Sequence, residues 1–204
     1  MMRFLLFLKH KCAFIWTIVE WFNSMLFNVR YGKKLKKVVA KTLQEQNNGF
    51  RYALLEQKDA ENLCAFFQRQ PEEMFKYFKP HAFDLKTLKR KIKDKAFITI
   101  GCFDGDLLIG YCFIRCFVNG KAFRGKIVDV NYQGHGIAKK MGAMLSEICY
   151  SSGLRLFGTI SKDNLASMQS SKEVNEIRIV EELPDDYLYI EYLPKANNKL
   201  NNQQ

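Results

Sequence analysis

The residues whose types and spacing carry the most chemistry are Gln133-Gly134-His135-Gly136-Ile137-Ala138. They follow the β-branched run Ile127-Val128-Asp129-Val130 and open directly onto a helical pattern from Ile137 to Cys149. A strand running through a glycine-containing loop into a helix points several backbone N–H groups at one spot, at the positive end of the helix dipole. That spot suits a pyrophosphate. His135 has the intrinsic pKa of an acid or base. Metal chemistry has no comparable signal. Cys12, Cys64, Cys102, Cys112, Cys116 and Cys149 form no Cys-x-x-Cys pair, and His10, His81 and His135 do not cluster with them. Most of these cysteines sit inside apolar runs, as small buried residues in a reducing compartment do.

The elements that must position the loop follow from periodicity. Residues 50–55 read as a strand, 59–69 as a helix broken by Gln70-Pro71, and 72–78 as a short helical piece. Lys79-Pro80-His81 is a turn, and 85–93 is a basic helix. Strands follow over 96–103 and 107–118, and Asn119-Gly120 forms a hairpin turn because both residues tolerate positive φ. A return strand over 122–130 delivers the chain to the loop. Then come a helix over 136–150, a strand over 154–160, a helix over 163–171, and strands over 177–183 and 187–193.

This order, with Gln133-x-x-Gly136-x-Ala138 after the hairpin and Asn164 opening the later helix, resembles the GCN5-related N-acetyltransferase (GNAT) family from about Phe50 to Leu193. The resemblance implies an α/β protein with a mixed sheet, the GNAT acyl-CoA transferase fold, and acetyl-CoA as co-substrate with no metal. It further implies that the backbone of Ile127, Val128 and Val130 pairs with pantetheine amides in the manner of an added strand. Gln133, Gly134, His135, Gly136, Ile137, Ala138 and Lys139 would hold the pyrophosphate, Gly136 and Ala138 letting the phosphates come close. Asn164 would contact the cofactor or the reaction centre, besides capping its helix.

Two positions depart from the family pattern. Ser171 stands where some members carry a tyrosine acid, and Thr159 where some carry a glutamate base. The early-helix loop lines the acceptor pocket in this family, which singles out Phe78-Lys79-Pro80-His81-Ala82-Phe83 and makes His81 the favoured base. Asp129, Glu191 and Tyr192 are the alternatives, while His135 would sit beside the phosphates. The expected reaction is direct transfer of an acetyl group to a primary amine. The aromatic Pro-His turn is also similar to GNAT proteins of surface-polysaccharide pathways, which implies an amino-sugar nucleotide or lipid-linked sugar as acceptor. A protein N-terminus or lysine is the rival acceptor, and the two departures leave a non-catalytic acyl-CoA-binding module as a further reading.

Outside this span, residues 1–38 read as an amphipathic and basic helical appendage, 39–49 as a linker, 50–194 as the transferase domain and 195–204 as a disordered polar tail. Phe14, Ile15, Ile18, Val19, Phe22, Met25, Leu26 and Val29 share one helical face; Thr17, Glu20, Asn23, Ser24 and Asn28 share the other. Arg30, Lys33, Lys34, Lys36, Lys37 and Lys41 follow at once. This pattern suits an anionic membrane surface; the alternatives are packing on the main domain or on a second copy as a homodimer. The polar interruptions make a spanning helix a poor reading, and the short apolar run at residues 4–8, cut by Lys9-His10-Lys11, is not a secretory signal. The expected location is cytoplasmic, peripheral on the inner face of the membrane. A net charge of +11 over 204 residues invites an anionic partner, but no recognition motif points to nucleic acid.

Overall fold

The computed structural model describes residues 13–45 and 49–195. The expectations for residues 1–12 and for the tail from 196 onward lie outside them. Helix α1 (Ala13–Gln44) leads to strand β1 (Arg51–Leu54). The linker expected over 39–49 is therefore helix as far as Gln44, with Val39 and Thr42 buried, so α1 and the domain share one core. Next come α2 (Ala60–Gln68), a 3-10 turn at Glu72–Phe75, and α3 (Leu85–Lys93). The meander β2 (Phe97–Asp104), β3 (Leu107–Cys116) and β4 (Lys121–Val128) precedes α4 (Ile137–Ser152). The chain closes with β5 (Arg155–Ser161), α5 (Leu165–Val174), β6 (Asn175–Leu183) and β7 (Tyr187–Pro194).

The seven strands lie in the order β1-β2-β3-β4-β5-β7-β6. Every neighbouring pair is antiparallel except β4 and β5, which run parallel. Both faces of the central strands are covered, so β3 is an almost unbroken apolar run rather than an alternating one. On one face Phe27, Leu35 and Val39 of α1 join Met141, Leu145 and Ile148 of α4 over Cys112, Ile114 and Cys116 of β3. On the other, Leu63, Phe66 and Phe67 of α2 and Leu88 of α3 cover Tyr111 and Phe113.

Capping fixes the helices that frame the site. Asp84 accepts the Thr87 N–H at 2.9 Å to start α3, whose last turn carries Arg90, Lys91 and Lys93 at the negative end of its dipole. Asn164 starts α5 by accepting the Ser167 N–H at 3.0 Å. Helix α4 ends on Gly153 in the left-handed region, with the Leu154 N–H closing on the Cys149 carbonyl at 2.8 Å.

Candidate active site

The parallel pair β4–β5 is hydrogen-bonded only from Lys121↔Arg155 to Phe123↔Phe157. Beyond that point both strands continue, β4 to Val128 and β5 to Ser161, but they no longer pair with each other. The far edge of β4 stays bonded to β3 through Gly110↔Val128. Alternate residues of a strand address alternate neighbours, so half the amides between Arg124 and Val128 face this split without a ladder partner in β5. The side chain of Val128 is buried, which leaves its backbone, on the split side, as the part a ligand could meet; Ile127, in register with Asp129 whose N–H bonds the Ile109 carbonyl at 2.8 Å, addresses β3 instead of the expected split.

The split leads straight to the loop. Gly134 and Gly136 hold φ of +81° and +74°, a region costly for any residue with a Cβ, and a Cβ added at either would meet nothing within 4 Å. The space in front of the loop is thus open. Helix α4 has Gly136 as its N-cap and no capping side chain. Its first intrahelical bond is the Lys140 N–H to the Gly136 carbonyl at 3.0 Å, so the N–H groups of Ile137, Ala138 and Lys139 have no acceptor within the helix. An anion with several oxygens would satisfy them. Gln133 and His135 are exposed on the rim; the His135 ring bonds back to the Gln133 carbonyl at 2.9 Å.

What anchors the loop is a cluster that sequence reasoning missed. Asp129 is buried, not solvent-facing, and its carboxylate accepts from Arg69 Nε at 2.8 Å, Gln70 Nε2 at 2.8 Å and the Asn131 N–H at 3.1 Å. Gln70 Oε1 in turn accepts the Val130 N–H at 3.1 Å. Burial pushes the Asp129 carboxyl up, but the bonds from Gln70, Asn131 and Arg69 outweigh it and hold the pKa below the ordinary value. Asp129 is committed to structure. Glu191, another alternative base, is likewise bound by Arg155 Nε at 2.8 Å and by Arg178, and its pKa is lowered chiefly by the Arg155 bond.

His81 lies on the α2–α3 face. Its ring packs edge-on to Phe67, Phe83, Phe97 and Tyr111, within 6.4 Å between centroids. Nδ1 is 2.8 Å from the Ala82 carbonyl and so carries the proton; Nε2 accepts the Tyr111 hydroxyl at 3.1 Å. Burial, aided by Lys91, lowers the His81 pKa against the opposing Ala82 carbonyl and Asp84, so the ring is neutral at pH 7. Burial also drives the Tyr111 phenol well above its ordinary range. Tyr111 stands opposite Ile127 in the sheet, one strand spacing from the split. Phe78, from the same turn as His81, lies over Gly125 of β4. An open groove of about 830 Å³, lined by Glu72, Glu73, Phe75, Lys76, Lys79, His81 and Phe83, connects this histidine to solvent.

Polar groups on the opposite face of the sheet join α4 to α5. Arg124 is buried, stacks on the Tyr192 ring at 3.5 Å, and donates to the Gly142 carbonyl, Ser146 and, at 3.5 Å, Ser171. Lys126 Nζ donates to the Ala138 carbonyl and to Ser170, each at 2.8 Å. Burial, then the charge of Arg124, holds the Lys126 pKa down to about 7. Lys139 pairs with Glu173 of α5 at 2.9 Å. Gln133, Gly134, His135, Gly136 and Lys139 are exposed along the loop, whereas Ile137 is buried and the Val130 N–H, expected to meet pantetheine, is taken by Gln70. His81 stands across the sheet from Ser171. Among the described residues no group of acidic, histidine and cysteine side chains could hold a metal.

No family profile matches the sequence, and no curated protein matches it either. Solved structures do. The GNAT domain of S. lividans PAT superposes with a TM-score of 0.62 at 15% identity, covering 70% of this chain and 89% of that one. AAC(6')-Ib in complex with paromomycin and acetyl-CoA gives 0.58 at 12%, covering 74% and 96%. The ribosomal-protein-S5-alanine acetyltransferase from Vibrio fischeri gives 0.60 at 13%, covering 74% and 96%. At these identities the shared property is the fold: a mixed α/β sheet of the GNAT type.

Proposed function

We propose that the chain is an acyl-CoA-dependent N-acyltransferase that moves an acetyl group from acetyl-CoA to a primary amine. The observation that carries this is the split between β4 and β5 running into an uncapped, glycine-turned helix. The open space before Gly134 and Gly136 fits a pyrophosphate, and the unpaired edge of β4 fits an extended amide-bearing arm. Complexes of neighbouring structures with acetyl-CoA support the same ligand. When bound, acetyl-CoA supplies a thioester carbonyl whose leaving group is a thiolate. The N–H groups of residues 137–139, with the glycine loop before them, would hold the phosphates, and the edge of β4 would orient the thioester at the split. An amine entering by the groove would give its proton to neutral His81 at Nε2 once the Tyr111 hydroxyl has turned away from that lone pair, Nδ1–H staying on the Ala82 carbonyl; the amine nitrogen would bond the thioester carbon as the carbon–sulfur bond breaks and its electron pair leaves on the CoA thiolate. Positioning supplies the rest of the rate.

The groove mixes Glu72 and Glu73 with Lys76 and Lys79 between aromatic faces. That combination suits an acceptor bearing both an amine and an anionic group, as an amino-sugar nucleotide or lipid-linked amino-sugar does. A protein amine is the second reading, favoured by the openness of the groove to solvent and by the S5-alanine acetyltransferase among the neighbours. A third rests on Ser171, whose hydroxyl is engaged by Arg124: a module that binds acyl-CoA without turnover. The test is release of CoA thiol from acetyl-CoA against a panel of amino-sugar nucleotides and N-terminal peptides. Release with an amino-sugar nucleotide supports the first reading, release with peptides alone the second, and binding without release the third.

A further inference from the structure

The first half of helix α1, up to about Val29, is mounted with its polar residues inward and most of its apolar ones outward. Glu20 is 3.4 Å from Lys91 Nζ and 3.2 Å from Arg115 Nη2. Asn23 donates to the Cys116 carbonyl and accepts the Val118 N–H, both at 3.0 Å, and Arg30 donates to the Val118 carbonyl at 3.2 Å. With Phe27, Leu35 and Val39 buried below them, these bonds prevent the helix from rolling. The apolar residues Ile18, Val19, Trp21, Phe22, Met25, Leu26 and Val29 are left 39–80% exposed. This inverts the usual arrangement, in which the apolar stripe of a surface helix faces the core, and a contiguous apolar surface of this kind marks a contact site.

At 100° per residue, Ile18, Phe22, Met25 and Val29 fall in one narrow sector, and Lys33 and Lys36 continue it toward the C-terminus. Lys33, Lys34, Lys36 and Lys37 are exposed. The one acidic residue between Ala13 and Gln44 is Glu20, which is turned inward. One outer face therefore changes from apolar and aromatic to cationic within a single rigid helix. No helix among the described residues is long and apolar enough to cross a membrane.

We infer that the outer face of α1 docks on an anionic lipid bilayer. Trp21, Phe22, Met25 and Val29 enter the headgroup–acyl boundary while the lysines lie on lipid phosphates, the two-signal arrangement that makes peripheral binding stable. Charge decides for this occupant: the lysine row has no acidic counterpart on the same helix face for a second copy to offer. The helix is bonded to the β3–β4 hairpin, at the opposite end of β4 from the Gly134–Gly136 loop, so docking leaves the loop open to water. The inference is independent of the transferase reading.

The test is sedimentation of the full chain with phosphatidylcholine vesicles, with and without one third phosphatidylglycerol, at low and high salt. The wild type is expected to partition at least about tenfold more strongly to the anionic vesicles, with a blue shift of tryptophan fluorescence, and to release in high salt. Phe22→Glu with Val29→Glu, and separately Lys33→Glu with Lys37→Glu, should each cut that partition about tenfold while leaving the thermal melt unchanged. Equal partition of the wild type to both vesicle types, or no loss in either variant, would overturn the inference. So would a solution dimer that Phe22→Glu with Val29→Glu dissociates in the absence of vesicle binding, which would assign the face to a second copy.

Discussion

His81, the proposed base, owes its neutral state to where it is buried. Its folded pKa lies below the ordinary 6.5, so the ring is a neutral base at pH 7 and becomes cationic only in more acidic solution. The rate should therefore fall as pH drops through that lowered value. Replacing His81 by alanine should reduce kcat about 10²–10⁴-fold and abolish this acid limb, as pH–rate profiles would show. Lys126 gives a second pH signature. Its pKa is about 7 when folded and 10.5 as an ordinary lysine, so between those values the unfolded chain binds more protons and stability rises with pH. The burden is full below pH 7 and vanishes above about 10.5. Melting temperatures of wild type and Lys126→Met should accordingly converge in the wild type's favour as pH rises from 7 to 10; a constant difference would contradict the buried ammonium. His81 was singled out in the sequence because the family resemblance places the early-helix loop at the acceptor pocket and histidine suits a base near neutral pH. Its partner Tyr111 was not, because a tyrosine inside an apolar strand looks like core. Nor was Lys126, whose burial depends on α5 closing over it.

At the level of elements, the loop works because three segments meet at Asp129. Arg69 and Gln70, at the end of α2, fix the residue where β4 stops and the glycine turn begins. Asp129→Ala would leave Arg69 and Gln70 without their shared acceptor. It should cost about 1–3 kcal/mol in denaturant unfolding and weaken acetyl-CoA binding measurably. Unchanged affinity would mean that the loop holds its shape without this anchor. The loop itself was readable from local spacing, since glycines, small residues and helix periodicity are neighbours in the chain. Its support was not, because Arg69 and Asp129 are 60 residues apart, and Gln70-Pro71 reads only as a helix break. The strand split was implied by the family resemblance alone: no residue of β4 or β5 announces that pairing stops at Phe123 and Phe157.

Across the whole molecule, α1 belongs to the domain it was expected merely to accompany. Amphipathic periodicity distinguishes two faces of a helix but does not say which one turns inward; here that was decided by Asn23 and Glu20 finding partners on a hairpin almost a hundred residues away, with Phe27 buried beside them. Phe27→Ala should therefore destabilise the full chain by about 3–5 kcal/mol, the cost of a large core truncation, which a detachable appendage would not show. The proposed function requires that the molecule be built around an acyl-CoA cradle. Calorimetric titration with acetyl-CoA, on wild type and on Gly136→Trp, tests it most directly. A Cβ at Gly136 would meet no protein atom within 4 Å, though a non-glycine residue at φ +74° carries backbone strain. Saturable binding to the wild type and its loss in the variant, with the folded circular dichroism spectrum retained, are expected; absence of binding to the wild type, or equal binding to both, would rule the cradle out.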